Sequence, residues 1–242
     1  MRRTFAIIAI LTGLVAAGCS KSTAPQEAQR STILSGTVTD TTGLGVSGAE
    51  LFIQYYSYTV LPKDDPPAEA CSLHFFRALP WFNGVQLSWK DSTETDTYCW
   101  VIERSSGFSP PSFAAIANVP AQGTSNQSHV YTYLDSAATN GVLLHYRLRL
   151  VSLDGHSALY GPAAVYYRKV TASVRGGYEI ADVPVDSAIP VIDTLGNVIG
   201  SHPVGASFTV RALKAGYGPY YHTIPFVKNT RNELNIMLHS LK

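Results

Sequence analysis

The sequence predicts an all-β protein, and three observations carry that expectation. Short apolar–polar alternations recur beyond residue 33: Thr37-Val38-Thr39, Val85-Gln86-Leu87-Ser88-Trp89, Tyr146-Arg147-Leu148-Arg149-Leu150 and Phe208-Thr209-Val210. Each is bounded by Gly, Pro, Asn or Asp, the punctuation of half-buried strands. No helical stripe follows the N-terminal segment, where Pro67-Ala68-Glu69-Ala70 amounts to one turn at most. The composition agrees: 14 Tyr accompany frequent Val, Thr and Ser, residues that fit a pleated, half-buried surface. Charged residues make up 14% of the 242 and hydrophobic ones 45%, the opposite of a disordered mixture. Eighteen Lys and Arg balance 17 Asp and Glu, which leaves no electrostatic footprint for nucleic acid.

The chain opens on Arg2 and Arg3, followed by an apolar run from Phe5 to Ala17 broken only by Thr12 and Gly13. That run is short of the roughly 20 residues that cross a bilayer, and its basic start fits an export signal. It ends at Ala16-Ala17-Gly18-Cys19. With these residues the chain resembles a bacterial lipoprotein precursor, in which a Cys after small residues receives a diacylglycerol on its thiol. The resemblance implies a signal peptide over 1–18, lipid attachment at Cys19 and a membrane partner reached through that lipid. Ser20 follows where Asp is absent, which in that family favours sorting to the outer membrane, on its periplasmic face or at the cell surface. Residues 19–32 are polar and aperiodic, and read as a flexible tether.

The next element carries Gly36-Thr37-Val38-Thr39-Asp40, then Gly45-Val46-Ser47-Gly48-Ala49 and a strand through Leu51-Phe52-Ile53. A second set follows far downstream: Gly177-Tyr178-Glu179-Ile180 with Val183-Pro184, then Phe208-Thr209-Val210 and Lys214-Ala215-Gly216-Tyr217. Together these resemble the two halves of a carboxypeptidase regulatory-like domain, a small transthyretin-like sandwich without catalytic machinery. Within the second half, Thr194-Leu195-Gly196-Asn197 predicts an added hairpin.

Between the halves lie Gly84 through Trp89, Tyr98 through Ser105, Phe113 through Pro120, Tyr131 through Asp135 and His145 through Leu148. These are similar to the strands of a fibronectin type III domain, which is Ig-like. Leu87 and Trp89 share one strand face, and Tyr98, Trp100 and Ile102 another, so the two faces enclose a sandwich core. The resemblance places Tyr146 where such domains bond a Tyr hydroxyl to nearby backbone. The expected architecture is therefore two β-sandwich domains, one transthyretin-like (33–64 and 169–240) and one Ig-like (66–168) inserted in it. Residues 33–62 alone supply too few strands to bury a stable face and need the C-terminal segment as partner.

Candidate chemistry is sparse. Cys71 and Cys99 remain besides Cys19. An oxidising compartment favours a disulfide between them, whereas strand alternation turns Cys99 away from the aromatic face, and both readings stand. The seven His form no H-x-x-x-H or H-E-x-x-H spacing, and no nucleophile elbow or phosphate loop occurs, so no metal, cofactor or catalytic residue is assigned. Pairs such as Asp91 with Asp96 or Asp182 with Asp186 read as turn acids. Tyr56, Tyr58, Tyr220 and Tyr221 lie in two Tyr-rich runs of the host segments. Exposed Tyr rings stack on sugar faces or anchor protein partners, so a glycan or protein ligand is expected there. The function that follows is a non-catalytic, membrane-anchored binding, adhesion or scaffold module. An accessory subunit of an outer-membrane uptake or secretion complex is the alternative, and an enzyme with a site between the sandwiches the third reading.

Overall fold

A seven-stranded sheet with an apolar core on each face is the organising layer of the computed structural model. The structure describes residues 31–59, 71–81, 83–107 and 112–241, with side chains omitted at 55–59. The expected signal peptide, Cys19 and most of the tether lie outside the described residues.

Sixteen strands occur among the described residues. The first half of the host supplies β1 (Ile33–Asp40) and β2 (Glu50–Thr59). The middle of the chain supplies β3 (Cys71–Trp81), β4 (Gly84–Glu94), β5 (Thr97–Ser106), β6 (Ala114–Pro120), β7 (Val130–Asp135), β8 (Leu144–Ser152) and β9 (Ser157–Thr171). Then come β10 (Gly177–Ile180), β11 (Ser187–Ile192), β12 (Val198–Val204), β13 (Ser207–Leu213), β14 (Tyr220–Pro225), β15 (Arg231–Glu233) and β16 (Ile236–Leu238).

The large sheet runs β14-β13-β2-β9-β8-β5-β6. Against one face packs a small sheet in which β1 pairs β10 antiparallel and β15 and β16 in parallel. That core contains Leu34 and Val38 of β1, Leu51 and Ile53 of β2, and Val210 and Ala212 of β13. Against the other face packs the sheet β3-β4-β7, with Phe76, Leu87, Trp89, Trp100, Tyr146, Leu148 and Tyr160 in its core. β2 serves both cores: Leu51 and Ile53 enter the first and Phe52 the second, all fully buried. A strand covered on both faces needs an unbroken apolar run, and Leu51-Phe52-Ile53 provides it.

β9 joins the two regions. Its first part, Ser157 to Val165, pairs β8, and its last part, Ala163 to Thr171, pairs β2. Residue 168, the expected end of the inserted segment, thus lies inside a continuous strand. Opposite Arg147 of β8 stand two residues of β9, Gly161 and Pro162, because Tyr146 pairs Ala163 while Leu148 pairs Tyr160. This bulge accommodates a proline that has no N–H to give the ladder.

The added hairpin is β11–β12, antiparallel. Asp193 Oδ1 closes its turn by accepting from the N–H groups of Leu195 and Asn197 at 2.9 and 2.8 Å. Arg147 donates to the carbonyl of Thr194 at 2.7 Å, which ties the turn to the large sheet. Beside it Arg147 and Arg149 both donate to Glu103, at 2.6 and 2.8 Å.

Two expectations about the inner face need correction. Tyr98 is 63% exposed, while Leu87, Trp89, Trp100, Ile102 and Tyr146 are buried. A register shift between Thr97 and Cys99 against β8 moves Tyr98 off the core face. Tyr146 donates its hydroxyl to the Asp135 carboxylate at 2.8 Å, not to backbone, and Arg104 clamps the same carboxylate at 2.7 Å.

Candidate functional site

The tip of the β3–β4 hairpin overhangs the large sheet where β2 and β13 end. Because Leu213 pairs Glu50 and Arg211 pairs Phe52, these four residues share the sheet face turned toward the hairpin. A solvent-open cleft of about 480 Å³ forms there, lined by Gly48, Glu50, Trp81, Asn83, Leu134, Leu213, Lys214 and Ala215. Trp81 and the two Leu provide apolar wall; Glu50, Asn83 and Lys214 provide the polar groups. One Glu50 oxygen, Oε1, accepts from Lys169 Nζ at 3.3 Å, whereas Oε2 is shielded from water with no hydrogen-bond partner.

Trp81 is held from behind. The Arg211 guanidinium carbon lies 6.0 Å from the Trp81 ring centre and 5.0 Å from that of Tyr221. Arg211 also donates to the Pro80 carbonyl at 3.0 Å. A buried cation stacked between two rings and bonded to the hairpin backbone fixes the indole in place.

Of the four Tyr singled out in the sequence, Tyr221 stands on this platform, 52% exposed and opposite Arg211 in the β13–β14 ladder. Tyr220 pairs Ala212 and packs against the other core. Strand alternation thus sends the two rings to opposite faces of β14, and they do not form one patch. Tyr56 and Tyr58 pair Tyr166 and Ala164 through backbone, with their side chains outside the described set. Trp81, Glu50, Asn83, Lys214 and Arg211 were not singled out. Their signal in the sequence is Trp81 two residues before Asn83-Gly84, a bulky aromatic beside a turn dipeptide.

Cys71 and Cys99 are free thiols. Cys71 sits on β3 in the core, and burial pushes its thiol up to about 12; Cys99 sits on β5 of the facing sheet.

A second constellation lies inside the β4–β5 end of the molecule. Single ligand atoms of Asp91, Glu94 and His129 come within 4.8 Å of one another. Glu94, 1% exposed, accepts from Thr97 Oγ1 (2.7 Å), the Gln122 amide (2.6 Å), Trp100 Nε1 (3.3 Å) and the Tyr131 hydroxyl (2.6 Å). Those four donors, together with the neighbouring Asp91, occupy most of the acceptor capacity that a metal would need. Asp91, fully buried, accepts the His129 amide at 2.7 Å through Oδ1. Burial, then the hydrogen bond with Glu94, pushes Asp91 up to about 6. Burial acts upward on Glu94 too, but hydrogen bonds from Asp91, Tyr131, Thr97 and Gln122 outweigh it and hold Glu94 low. A proton on Asp91 shared with Glu94 resolves the charge of the pair. The turn acids behave as expected elsewhere: Asp40 accepts from the Thr42 hydroxyl and amide and from the Leu44 amide, which holds it below its ordinary value. Asp96 at a bend and Asp186 at a turn sit at positive φ, as does Asp182, which lies outside a turn and bonds Ser31.

The molecule belongs by architecture to the all-β class, a layered β-sandwich with an open cleft on one side of its central sheet. The chain matches no family model, no curated protein and no solved structure.

Proposed function

We propose that this protein is a lipid-anchored, non-catalytic binding module of the bacterial outer membrane. In this reading it is built from a carboxypeptidase regulatory-like sandwich interrupted by a fibronectin type III-like one. The observation that carries it is the Cys19 motif: a basic start, an apolar run too short to span a membrane, and small residues immediately before a Cys. Several acyl chains on one Cys suffice for stable anchoring, since each buried CH₂ contributes about 0.8 kcal/mol. The cleft supports the binding half of the proposal. It offers a fixed aromatic face and separate polar groups.

Metabolic labelling with a fatty acid tests the anchor. Wild-type protein is expected to take up label and partition with membranes, and Cys19→Ser to lose both. Equal labelling of the two proteins would overturn the reading.

A further inference from the structure

We infer that the cleft under the β3–β4 tip is an oligosaccharide site, with Trp81 as its stacking platform. The inference rests on the binding-module reading and gives that module a site and a ligand class. The chemistry of the walls discriminates among four kinds of occupant. A peptide strand adding to the sheet needs a free backbone edge, but β2 and β13 are paired on both sides here. A lipid tail would bury Glu50, Asn83 and Lys214 against hydrocarbon, which costs free energy for every polar group left unpaired. A metal ion would find a single carboxylate, already paired with Lys169.

A sugar ring matches the walls. It has an apolar C–H face for the indole, hydroxyls to donate and oxygens to accept. Glu50 Oε2 is an acceptor already stripped of water and lacking a protein donor. Glu50 lines the cleft, and its side chain is 21% exposed. A ligand hydroxyl bonding there removes an unpaired buried acceptor, a gain that exposed carboxylates do not offer. Lys214 and Asn83 supply donors across the cleft. A volume of about 480 Å³ lies in the range of small-molecule sites and holds a short oligosaccharide. Arg211 is a positioning residue: it touches no ligand and fixes the indole through the stacking and the Pro80 bond, so little ordering remains for the ligand to impose.

The test uses full-length protein in detergent, screened by calorimetry and glycan array against malto-, cello-, xylo- and chito-oligosaccharides of about two to four rings. Wild type is expected to bind at least one series. Trp81→Ala is expected to weaken it roughly tenfold or more, as for a central aromatic anchor. Lys214→Ala should weaken it less, and Tyr220→Ala, on the opposite face, should leave it unchanged. Thermal unfolding of each variant establishes that it is folded, and Trp81→Phe, which keeps a ring, should recover part of the affinity. Absence of binding to every series overturns the inference. So does binding that folded Trp81→Ala retains in full. Either result leaves the anchoring proposal intact if fatty-acid labelling still depends on Cys19, so the two readings fail separately.

Discussion

Asp91 and Glu94 place two carboxyl groups in one dry pocket, and only one of them has enough donors to stay ionised there. The folded protein holds a proton on Asp91 up to a pH of about 6, while an unfolded Asp releases it near 3.8. The fold binds this proton more tightly, so its contribution to stability is complete below the unfolded value and is lost as pH rises through about 6. Asp91→Asn keeps an acceptor for the His129 amide and supplies a permanent donor to Glu94. It is expected to raise the urea midpoint at about pH 8 and to leave it almost unchanged at about pH 4. A variant that loses stability equally at both would refute the shared proton. None of this pocket was legible in the sequence. Glu94 draws its donors from Thr97, Trp100, Gln122 and Tyr131, the last 37 residues away, and no local spacing reports such a set. Leu87 and Trp89 were legible, because plain alternation governs β4 where they lie. Tyr98 was not, since a bulge leaves the alternation of types intact while rotating the side chains.

At the scale of elements, β9 has the most demanding position. It changes partner along its length, and the Gly161–Pro162 bulge lies just before the change. Gly161 has φ +105°, a region that L side chains rarely adopt, and a Cβ there would come within 3.1 Å of the Phe76 ring. Gly161→Ala is expected to cost on the order of 1–3 kcal/mol. Chemical denaturation measures it, and an unchanged midpoint would mean that the bulge relaxes without strain. The apolar run Ala163-Ala164-Val165 announces a buried strand, but not its two partners. The hairpin β11–β12 was readable because its turn is a local event: Asp193 closes it within five residues. The cleft was not, because its walls come from β2, β3, β7 and β13 and meet only after the sheets have packed.

For the whole molecule, the all-β class and the layering of sheets were readable, since strand period and turn residues are local properties. The sharing of one sheet by two cores was hidden, because Phe52 between Leu51 and Ile53 reads simply as a buried strand. That sharing has a testable outcome. The N-terminal strands β1 and β2 are each paired on both sides by strands from beyond residue 156. Limited proteolysis between residues 60 and 70 is expected to give two fragments that elute together on native size exclusion. Spontaneous separation would show that the pieces are independent.

The pairing of β1 also determines how the molecule carries load. Strand β1 is the first element after residue 31, and its ladders to β10, β15 and β16 all lie along its length. Tension applied at its N-terminal end and directed along the strand meets those hydrogen bonds in shear, so they resist together. Tension across the strand would open them one at a time, as a zipper opens. Were the N-terminus the point of attachment, a pull along β1 would load all three ladders together, and the core of Leu34 and Val38 would slide against β2 and β13 only once they yield.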